Sequence, residues 1–246
     1  FLHCVRERKE PISDVHTRFD VVEQQIEHAR KRLGGAPAQV LVLGDFGFFG
    51  DRLHDWFRRR GLAFSAPVAC IEGNHEDHGA LHDLARRYED CFVYLPRGSV
   101  RPVGDLRALC LGGARYMDAW STPRGCEITE LDIAASLAHA PDEVDIVLTH
   151  DCPTGIGVPN TPGLEHYGVP GVPQMLRLAE RYRPRLWFFG HHHKWFELER
   201  GGTRYIGLPQ SWMGYVLLSP DGGVERVEHE VPVEQRSRWK RWFGLR

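Results

Sequence analysis

The stretch Trp187-Phe188-Phe189-Gly190-His191-His192-His193 joins an apolar, strand-like run to a glycine and three histidines. In open α/β folds, ligands gather at the carboxyl ends of the strands, which is where these histidines would lie. Extended backbone points residues i and i+2 the same way, so His191 and His193 are expected to reach one cluster while His192 points elsewhere. Histidine is the commonest metal ligand, but this stretch alone leaves open both metal binding and a solvated run of histidines.

The composition is typical of a globular protein. The chain has 246 residues, of which 42% are hydrophobic and 26% charged, and this suits one large domain. We expect the domain to span residues 1–233 and a basic, aromatic helix or tail to occupy residues 234–246. The formal net charge of −2 argues against a surface that coats nucleic acid.

The cysteines and the hydropathy pattern bear on the compartment. The six cysteines show no Cys-x-x-Cys spacing, and Cys70 and Cys110 lie in apolar runs, where a reduced and buried thiol is usual. We find no stretch that resembles a secretory leader and no apolar span of about 18 residues. These features predict a cytoplasmic protein with reduced thiols and no membrane span.

Other polar clusters also follow strand-like runs. The run 40–43 ends in Gly44-Asp45, the run 67–71 ends in Glu72-Gly73-Asn74-His75, and the run 145–149 ends in His150. Asp14 and His16 stand just before a helix expected over 17–33. Any one of these residues has a structural explanation, because Asp and Asn cap helices and a single histidine is usually held by hydrogen bonds. Their repeated position after strand-like runs favours one shared site.

The remaining pattern alternates helices with short strands. Helical periodicity is found at 17–33, 51–60, 80–88, 129–138 and 173–182. Short segments at 92–95, 99–103 and 106–111, separated by Pro and Gly, suggest antiparallel pairing. Segments at 196–200, 203–206, 215–218 and 224–231 suggest hairpins. The Gly- and Pro-rich loop 152–172 is long for a connection, and loops of this kind are often functional.

The residue types at the strand ends suit a pair of divalent ions. Imidazoles and carboxylates without thiolates favour manganese, iron or zinc. One carboxylate can bridge two ions about 4 Å apart, and such a pair clamps a phosphate and lowers the pKa of bound water. Hydrolysis of phosphate esters is among the slowest uncatalysed reactions, which makes two ions at the reacting centre a sensible solution.

In chain order, these motifs resemble those of the calcineurin-like metallophosphoesterase superfamily. They are Asp14-Val15-His16, Gly44-Asp45, Gly73-Asn74-His75-Glu76, His150 and Gly190-His191-His192-His193. Together they span nearly the whole chain and are specific for the superfamily, but they do not identify the substrate. The resemblance implies an α/β fold: a four-layer αββα sandwich of two mixed β-sheets flanked by helices, with the active site at the carboxyl ends of the strands.

The resemblance also implies roles for individual residues. Asp14, His16 and His193 would hold the first ion, Asn74, His150 and His191 the second, and Asp45 would bridge them. His75 would protonate the leaving oxygen or stabilise the charge beside it. Manganese is the metal we expect, with iron and zinc as alternatives.

Two features differ from the family pattern. The segment before Asp14 is charged where the family has an apolar strand, so the first strand is expected to be very short or the N-terminus altered. The residues after Gly44-Asp45 are Phe46-Gly47-Phe48-Phe49-Gly50 instead of a nearby Asp-Arg-Gly, which argues against a phosphoserine substrate. We expect these phenylalanines to pack in the core rather than stack on a base.

The function expected from these observations is that of a two-metal phosphoesterase, in which metal-bound hydroxide attacks phosphorus in line. A phosphatase acting on phosphomonoesters, either phosphoprotein or nucleotide, is the first hypothesis. A phosphodiesterase or nuclease acting on nucleic acid or cyclic nucleotides is the alternative. A third hypothesis, a metal-binding but inactive module that binds a partner through its basic tail, is disfavoured by the complete ligand set. Arg115, His192 and Asn74 are the candidate substrate contacts, and the sequence leaves the oligomeric state open.

Overall fold

The computed structural model describes residues 8–117 and 122–232, and in this part of the chain twelve strands form two six-stranded mixed sheets. The strands are β1 (Lys9–Ile12), β2 (Gln39–Leu43), β3 (Val68–Ile71), β4 (Val93–Tyr94), β5 (Ser99–Val103), β6 (Leu106–Leu111), β7 (Ile146–Thr149), β8 (Leu186–Phe189), β9 (Phe196–Arg200), β10 (Thr203–Gly207), β11 (Gly214–Leu218) and β12 (Val224–Glu228). The first sheet has the order β12-β11-β1-β2-β3-β4, and the second has the order β5-β6-β7-β8-β10-β9.

Helices connect the strands at nearly the positions that the periodicity predicts. Among the described residues the α-helices are α1 (Phe19–Leu33), α2 (Gly50–Leu53), α3 (Leu81–Arg87), α4 (Glu130–Leu137) and α5 (Leu176–Tyr182). The single helix predicted over 51–60 is instead the short α2 followed by a π-helical segment, His54–Arg59. Short 3₁₀ turns complete the connections, namely Pro141–Glu143, Glu165–Tyr167, Pro173–Met175 and Ser211–Met213.

Three hydrophobic cores define the layers. One lies between α1 and the outer face of the first sheet, and it includes Phe46 and Phe48, both fully buried as expected. Phe49 was also expected in the core but is only partly buried and lies outside it. A second lies between the two sheets, where Leu41 and Phe188 belong to the same cluster. The third covers the outer face of the second sheet with residues of α4 and α5. Two sheets enclosed between helical layers confirm the expected αββα sandwich.

The pairing of the middle strands corrects one expectation. β5 and β6 are antiparallel, as predicted, but β4 pairs in parallel with β3, with Ala69 opposite Val93. The prediction that 92–95 pairs antiparallel was therefore wrong. Its physical reason is the helix α3, which carries the chain back along the sheet between β3 and β4, so that β4 re-enters in the same direction. The two hairpins predicted near the C-terminus, β9–β10 and β11–β12, are confirmed.

The first strand is short, as its charged sequence predicts. β1 spans four residues and pairs in parallel with β2 through all of them. Its Glu10 is completely buried, and within the described residues neither of its carboxyl oxygens has a hydrogen-bond partner. Burial, with a contribution from the charge of Glu23, raises the pKa of Glu10 well above its ordinary value.

We expect Glu10→Gln to remove a stability penalty that grows with pH. Below the pKa of about 4.3 that Glu10 has in the unfolded chain, the carboxyl is protonated in both the folded and the unfolded state, so its ionisation does not change the free energy of unfolding. As pH rises above that value the unfolded chain ionises first, so the folded wild type loses stability until its own pKa is passed. Unfolding by denaturant should show the variant gaining about 1–3 kcal/mol over wild type between pH 5 and pH 8. The exposed control Glu89→Gln should show no such trend, and parallel curves for Glu10→Gln and wild type would contradict the account.

Several expectations concern features at the margins of the structure. None of the helices within 8–117 and 122–232 has the length and apolar composition needed to cross a bilayer. The five cysteines in these ranges are unpaired, as expected. Cys4 and the predicted tail at 234–246 lie outside the described residues, and the domain boundary at 233 stays a prediction.

Candidate metal centre

Loops after five parallel strands carry the ligand-type side chains. β1, β2 and β3 run parallel in the first sheet, and β7 and β8 run parallel in the second, so their carboxyl ends can meet at one edge. The residues there are Asp14 and His16 after β1, Asp45 after β2, Asn74 and His75 after β3, His150 after β7, and His191, His192 and His193 after β8.

One group of four side chains, which we call the first cluster, consists of Asp14, His16, Asp45 and His193. Each offers one ligand atom, and these atoms all lie within 4.8 Å of one another. His193 Nε2 is 3.1 Å from Asp14 Oδ1, and His16 Nε2 is 3.6 Å from Asp45 Oδ2. The carboxylates are buried, whereas the side chains of His16 and His193 are 13% and 28% exposed. Buried carboxylates next to partly exposed imidazoles form a suitable site for a cation that enters from solvent.

The second cluster consists of Asn74, His150 and His191. Asn74 Oδ1 lies 3.0 Å from His150 Nε2 and 3.0 Å from His191 Nδ1. The other ring nitrogen of His150, Nδ1, lies 2.8 Å from the Leu43 carbonyl; in the tautomer that donates to this carbonyl, the Nε2 lone pair faces Asn74 Oδ1. Two acceptors facing each other at this distance are arranged like ligands that share a cation.

Asp45, a member of the first cluster, also faces the second cluster. Its Oδ2 faces His16, and its Oδ1 is 3.7 Å from His150 Nε2. Oδ1 also accepts a hydrogen bond from the His75 backbone N–H at 2.8 Å. Oδ2 is buried and, in the described part of the chain, has no hydrogen-bond donor. A buried, ionised oxygen without a donor is costly, and a bound cation would remove that cost. The residues therefore fit a pair of ions with one carboxylate between them.

The pKa shifts of four of the ligands favour the protonation states that metal binding requires. Burial lowers the pKa of His16 to about 4 and that of His191 to about 3, so both rings are neutral near pH 7. Burial alone would raise the pKa of Asp14, but His193 opposes it, and the pKa falls to about 2. Burial likewise acts against ionisation of Asp45, yet the neighbouring histidines, His150 foremost, hold its pKa below the usual range. Ionised carboxylates and neutral imidazoles are the ligand forms that bind divalent metals. His193 is the exception: burial lowers its pKa, but Asp14 raises it above the ordinary value, so His193 must release a proton when a metal binds.

The backbone at the ligands is left-handed, which corrects the expectation of an extended histidine run. His191 has φ of 62° and His193 has φ of 55°. These turns direct His193 into the first cluster and His191 into the second, while the His192 imidazole contacts Asp151, which belongs to neither cluster. Asp14, His16 and Asp45 also have φ near 50°. Non-glycine residues rarely adopt this conformation, and such strain concentrates at functional sites.

Glycines precede three of the ligands because there is no space for a side chain. A Cβ at Gly190 would overlap with Ser13 Oγ, and one at Gly73 would overlap with the Asp45 carboxylate. The Ser13 hydroxyl in turn donates to Asp14 Oδ2 at 2.7 Å and so fixes that carboxylate. The Gly-Asp, Gly-Asn and Gly-His pairs of the sequence are therefore a consequence of dense packing at the site.

His75 lies beside the first cluster. Its ring centroid is 5.6 Å from that of His16, and its side chain is partly exposed. Its backbone holds Asp45, as described above, while its imidazole is left at the accessible side of the site.

The three candidate substrate contacts are placed differently. Asn74 lies within the second cluster. His192 Nε2 is 3.0 Å from Asp151 Oδ1 and 3.2 Å from Cys152 Sγ. The Arg115 backbone N–H donates to Asp151 Oδ2 at 3.0 Å. Its guanidinium donates to the Val169 carbonyl at 2.7 Å, and among the described residues this hydrogen bond connects Arg115 to the loop 152–172. Arg115 and His192 thus gather around Asp151, next to the second cluster.

Sequence reasoning gave no role to several residues that shape the site. Glu76 is buried, and its Oε2 accepts from the backbone N–H groups of Gly47 and Phe48 at 3.0 and 2.5 Å, which ties the loop after β3 to the loop after β2. Its presence in the Gly-Asn-His-Glu motif was the available signal. Trp212, whose ring centroid is 6.4 Å from that of His16, follows a hairpin strand and carried no signal in the sequence.

The sequence is similar to those of known phosphoesterases. The family model for calcineurin-like phosphoesterases matches residues 12–195. A probable cyclic nucleotide phosphodiesterase from a Synechococcus strain is 25% identical over 216 residues, which cover 81% of this chain and 79% of that protein.

Solved structures show the same fold at low identity. Phosphopantetheinyl hydrolase from Mycobacterium tuberculosis aligns with a TM-score of 0.57 at 15% identity, over 95% of this chain and 99% of that one. A protein of Thermus thermophilus aligns with a TM-score of 0.61 at 14% identity, over 90% of this chain and 98% of that one.

Proposed function

Because the chain belongs to the calcineurin-like phosphoesterase family, a family of hydrolases acting on phosphate esters, we propose that its two clusters hold two divalent ions and hydrolyse phosphodiesters of nucleotides. In this proposal the first cluster holds one ion, the second cluster holds the other, and Asp45 bridges them. The observation that carries the assignment is Asp45 itself, whose two carboxyl oxygens each face a different cluster. Manganese is the metal we propose, because the donors are imidazole, carboxylate and amide oxygen without thiolate; iron and zinc are the alternatives.

When bound, the two ions supply Lewis acidity, which lowers the pKa of a coordinated water and neutralises charge on the phosphate. The protein positions the ions and supplies a proton to the leaving group. Asp14, fixed by the Ser13 hydroxyl, and Asp45, fixed by the His75 backbone N–H, provide the buried negative charge that holds cations. The His75 imidazole, on the accessible side of the first cluster, is proposed to donate a proton to the departing oxygen.

One observation favours diesters, and a second argues against a phosphoprotein substrate. A relative that matches across most of the chain is named as a probable cyclic nucleotide phosphodiesterase. In addition, Gly44-Asp45 is followed by buried phenylalanines where protein phosphatases of the superfamily have Asp-Arg-Gly. The phosphatase activity favoured by the sequence alone stays a prediction, and the same experiment tests it.

Paired ester substrates separate the two activities. With Mn²⁺ present, we expect kcat/KM for bis-p-nitrophenyl phosphate to exceed that for p-nitrophenyl phosphate at least about tenfold, a difference of about 1.4 kcal/mol in transition-state binding. The same order is expected for 3′,5′-cyclic AMP against AMP. A preference for the monoesters in both pairs would replace the proposal with a phosphatase. The Asp45→Asn variant, purified in parallel, reports any activity that comes from a contaminating enzyme.

A further inference from the structure

We propose that Trp212 is the surface on which the base of a nucleotide stacks while its phosphate lies at the metal centre. This inference rests on the proposed function and names the part of the substrate that the two clusters do not hold. It follows from three observations: where the indole lies, how firmly its turn is held, and that its ring is partly exposed.

The indole lies next to the first cluster. Trp212 belongs to the 3₁₀ turn Ser211–Met213, between β10 and β11. Its ring centroid is 6.4 Å from that of His16, and the two rings are inclined by 45°. If a ligand's phosphate is held between the clusters, the indole therefore lies just beyond His16, at a short distance from that phosphate. In a nucleotide, the sugar separates phosphate and base, and the base is the part that reaches such a position.

The turn is held from several directions. The buried side-chain amide of Gln25 donates to the Ser211 carbonyl at 2.7 Å. The Ser211 hydroxyl reaches the Asp14 carbonyl at 3.5 Å, which connects the turn to a ligand of the first cluster. The Trp212 carbonyl accepts from the Val231 N–H at 2.8 Å. A fixed aromatic ring loses little entropy when a base stacks on it, which is the condition for an effective platform.

The other tryptophans in the described residues are already engaged. Trp187 is fully buried, and the guanidinium of Arg60 lies 5.0 Å above the ring of Trp56. Trp195 is only partly buried, but the guanidinium of Arg226 covers it at 4.3 Å. Trp212 is partly exposed, and within the described ranges its one ring contact is the tilted His16. An accessible indole beside a phosphate-binding centre suits a nucleobase, because every base has a π-face and stacking does not depend on its hydrogen-bonding edge.

Binding of two matched ligands tests the platform, and turnover is excluded by analogues in which a methylene group replaces the ester oxygen. The analogues of AMP and ribose 5-phosphate, named below after their parents, share the sugar and the phosphonate and differ in the base. With the Mn²⁺-loaded protein, isothermal titration should give AMP a Kd about tenfold or more below that of ribose 5-phosphate, the contribution expected of one stacked base. Trp212→Ala should bring the two Kd values to within about twofold, and Trp212→Phe should retain most of the difference, since stacking needs a ring and not the indole N–H.

Controls separate stacking from folding and from the ester preference. Trp195→Ala removes a tryptophan whose face is already covered, and it should leave the ratio of the two Kd values as in wild type. Metal content and circular dichroism of each variant should match wild type. Equal Kd values in wild type, or a ratio that survives Trp212→Ala, would overturn the proposal. If the diester assay fails while the ratio still depends on Trp212, the platform stands and the ester class alone is wrong.

Discussion

Asp45→Asn is expected to abolish hydrolysis, with kcat at least about 10³-fold lower, and to leave the purified protein without its pair of ions. Asparagine keeps the shape of the side chain but removes the negative charge, and its nitrogen replaces one of the two oxygens that face the clusters. One cluster then loses its ligand atom and the other keeps only an uncharged amide oxygen, so we expect both ions to be lost and not only one. Elemental analysis of protein loaded with Mn²⁺ and desalted measures this directly.

The matched control for this variant is Asp51→Asn. Asp51 lies six residues further along, at the start of α2, and its side chain is 75% exposed. It should retain two equivalents of metal and full activity. Retention of two equivalents by a folded Asp45→Asn protein would contradict the bridging role, and retention of one would assign Asp45 to a single cluster.

His75→Asn is expected to lower kcat by about 10² to 10⁴ while both ions stay bound, the range typical for the loss of a general acid or base. No ligand of either cluster is removed, and the backbone N–H that holds Asp45 is retained. The loss should be larger for an ester with an alkoxide leaving group, such as 3′,5′-cyclic AMP, than for bis-p-nitrophenyl phosphate, because p-nitrophenolate departs without protonation.

The leaving-group dependence is what identifies proton donation. A merely structural role for His75 would lower kcat for both esters by the same factor, and that result would exclude it as the acid. His54→Asn, an exposed histidine on the π-helical segment, is the matched control and should behave as wild type with both esters.

The sequence predicted the positions of the candidate ligands because the strand–glycine–ligand pattern is local. A glycine before a ligand reflects crowding at the site. The pairs Gly73-Asn74 and Gly190-His191 therefore indicate the site from the sequence alone, before the fold is known. The charged first strand, with Glu10 buried in it, was foreseen as short but not as a fully paired member of the sheet. The chemical roles of these residues stay predictions until the variants are made.

What the sequence did not reveal depends on long-range geometry. The left-handed backbone at His191 and His193 is imposed by neighbouring loops, so periodicity within the histidine run could not predict it. The parallel pairing of β4 depends on the path of α3 and not on the composition of residues 92–95. Trp212 reaches His16 because β1 and β11 are neighbours in the sheet, a pairing between residues 9 and 218 that no local pattern announces.

That same pairing has a consequence for biosynthesis. β1 lies between β2, which follows soon after it, and β11, which is made near the end of the described chain. A nascent polypeptide must therefore keep one edge of β1 open on the ribosome until residue 218 has left the exit tunnel. Contacts between distant parts of a chain slow folding and prolong the exposure of unpaired strand edges. Chains truncated before β11 are therefore expected to expose one edge of β1 and to be recognised by chaperones.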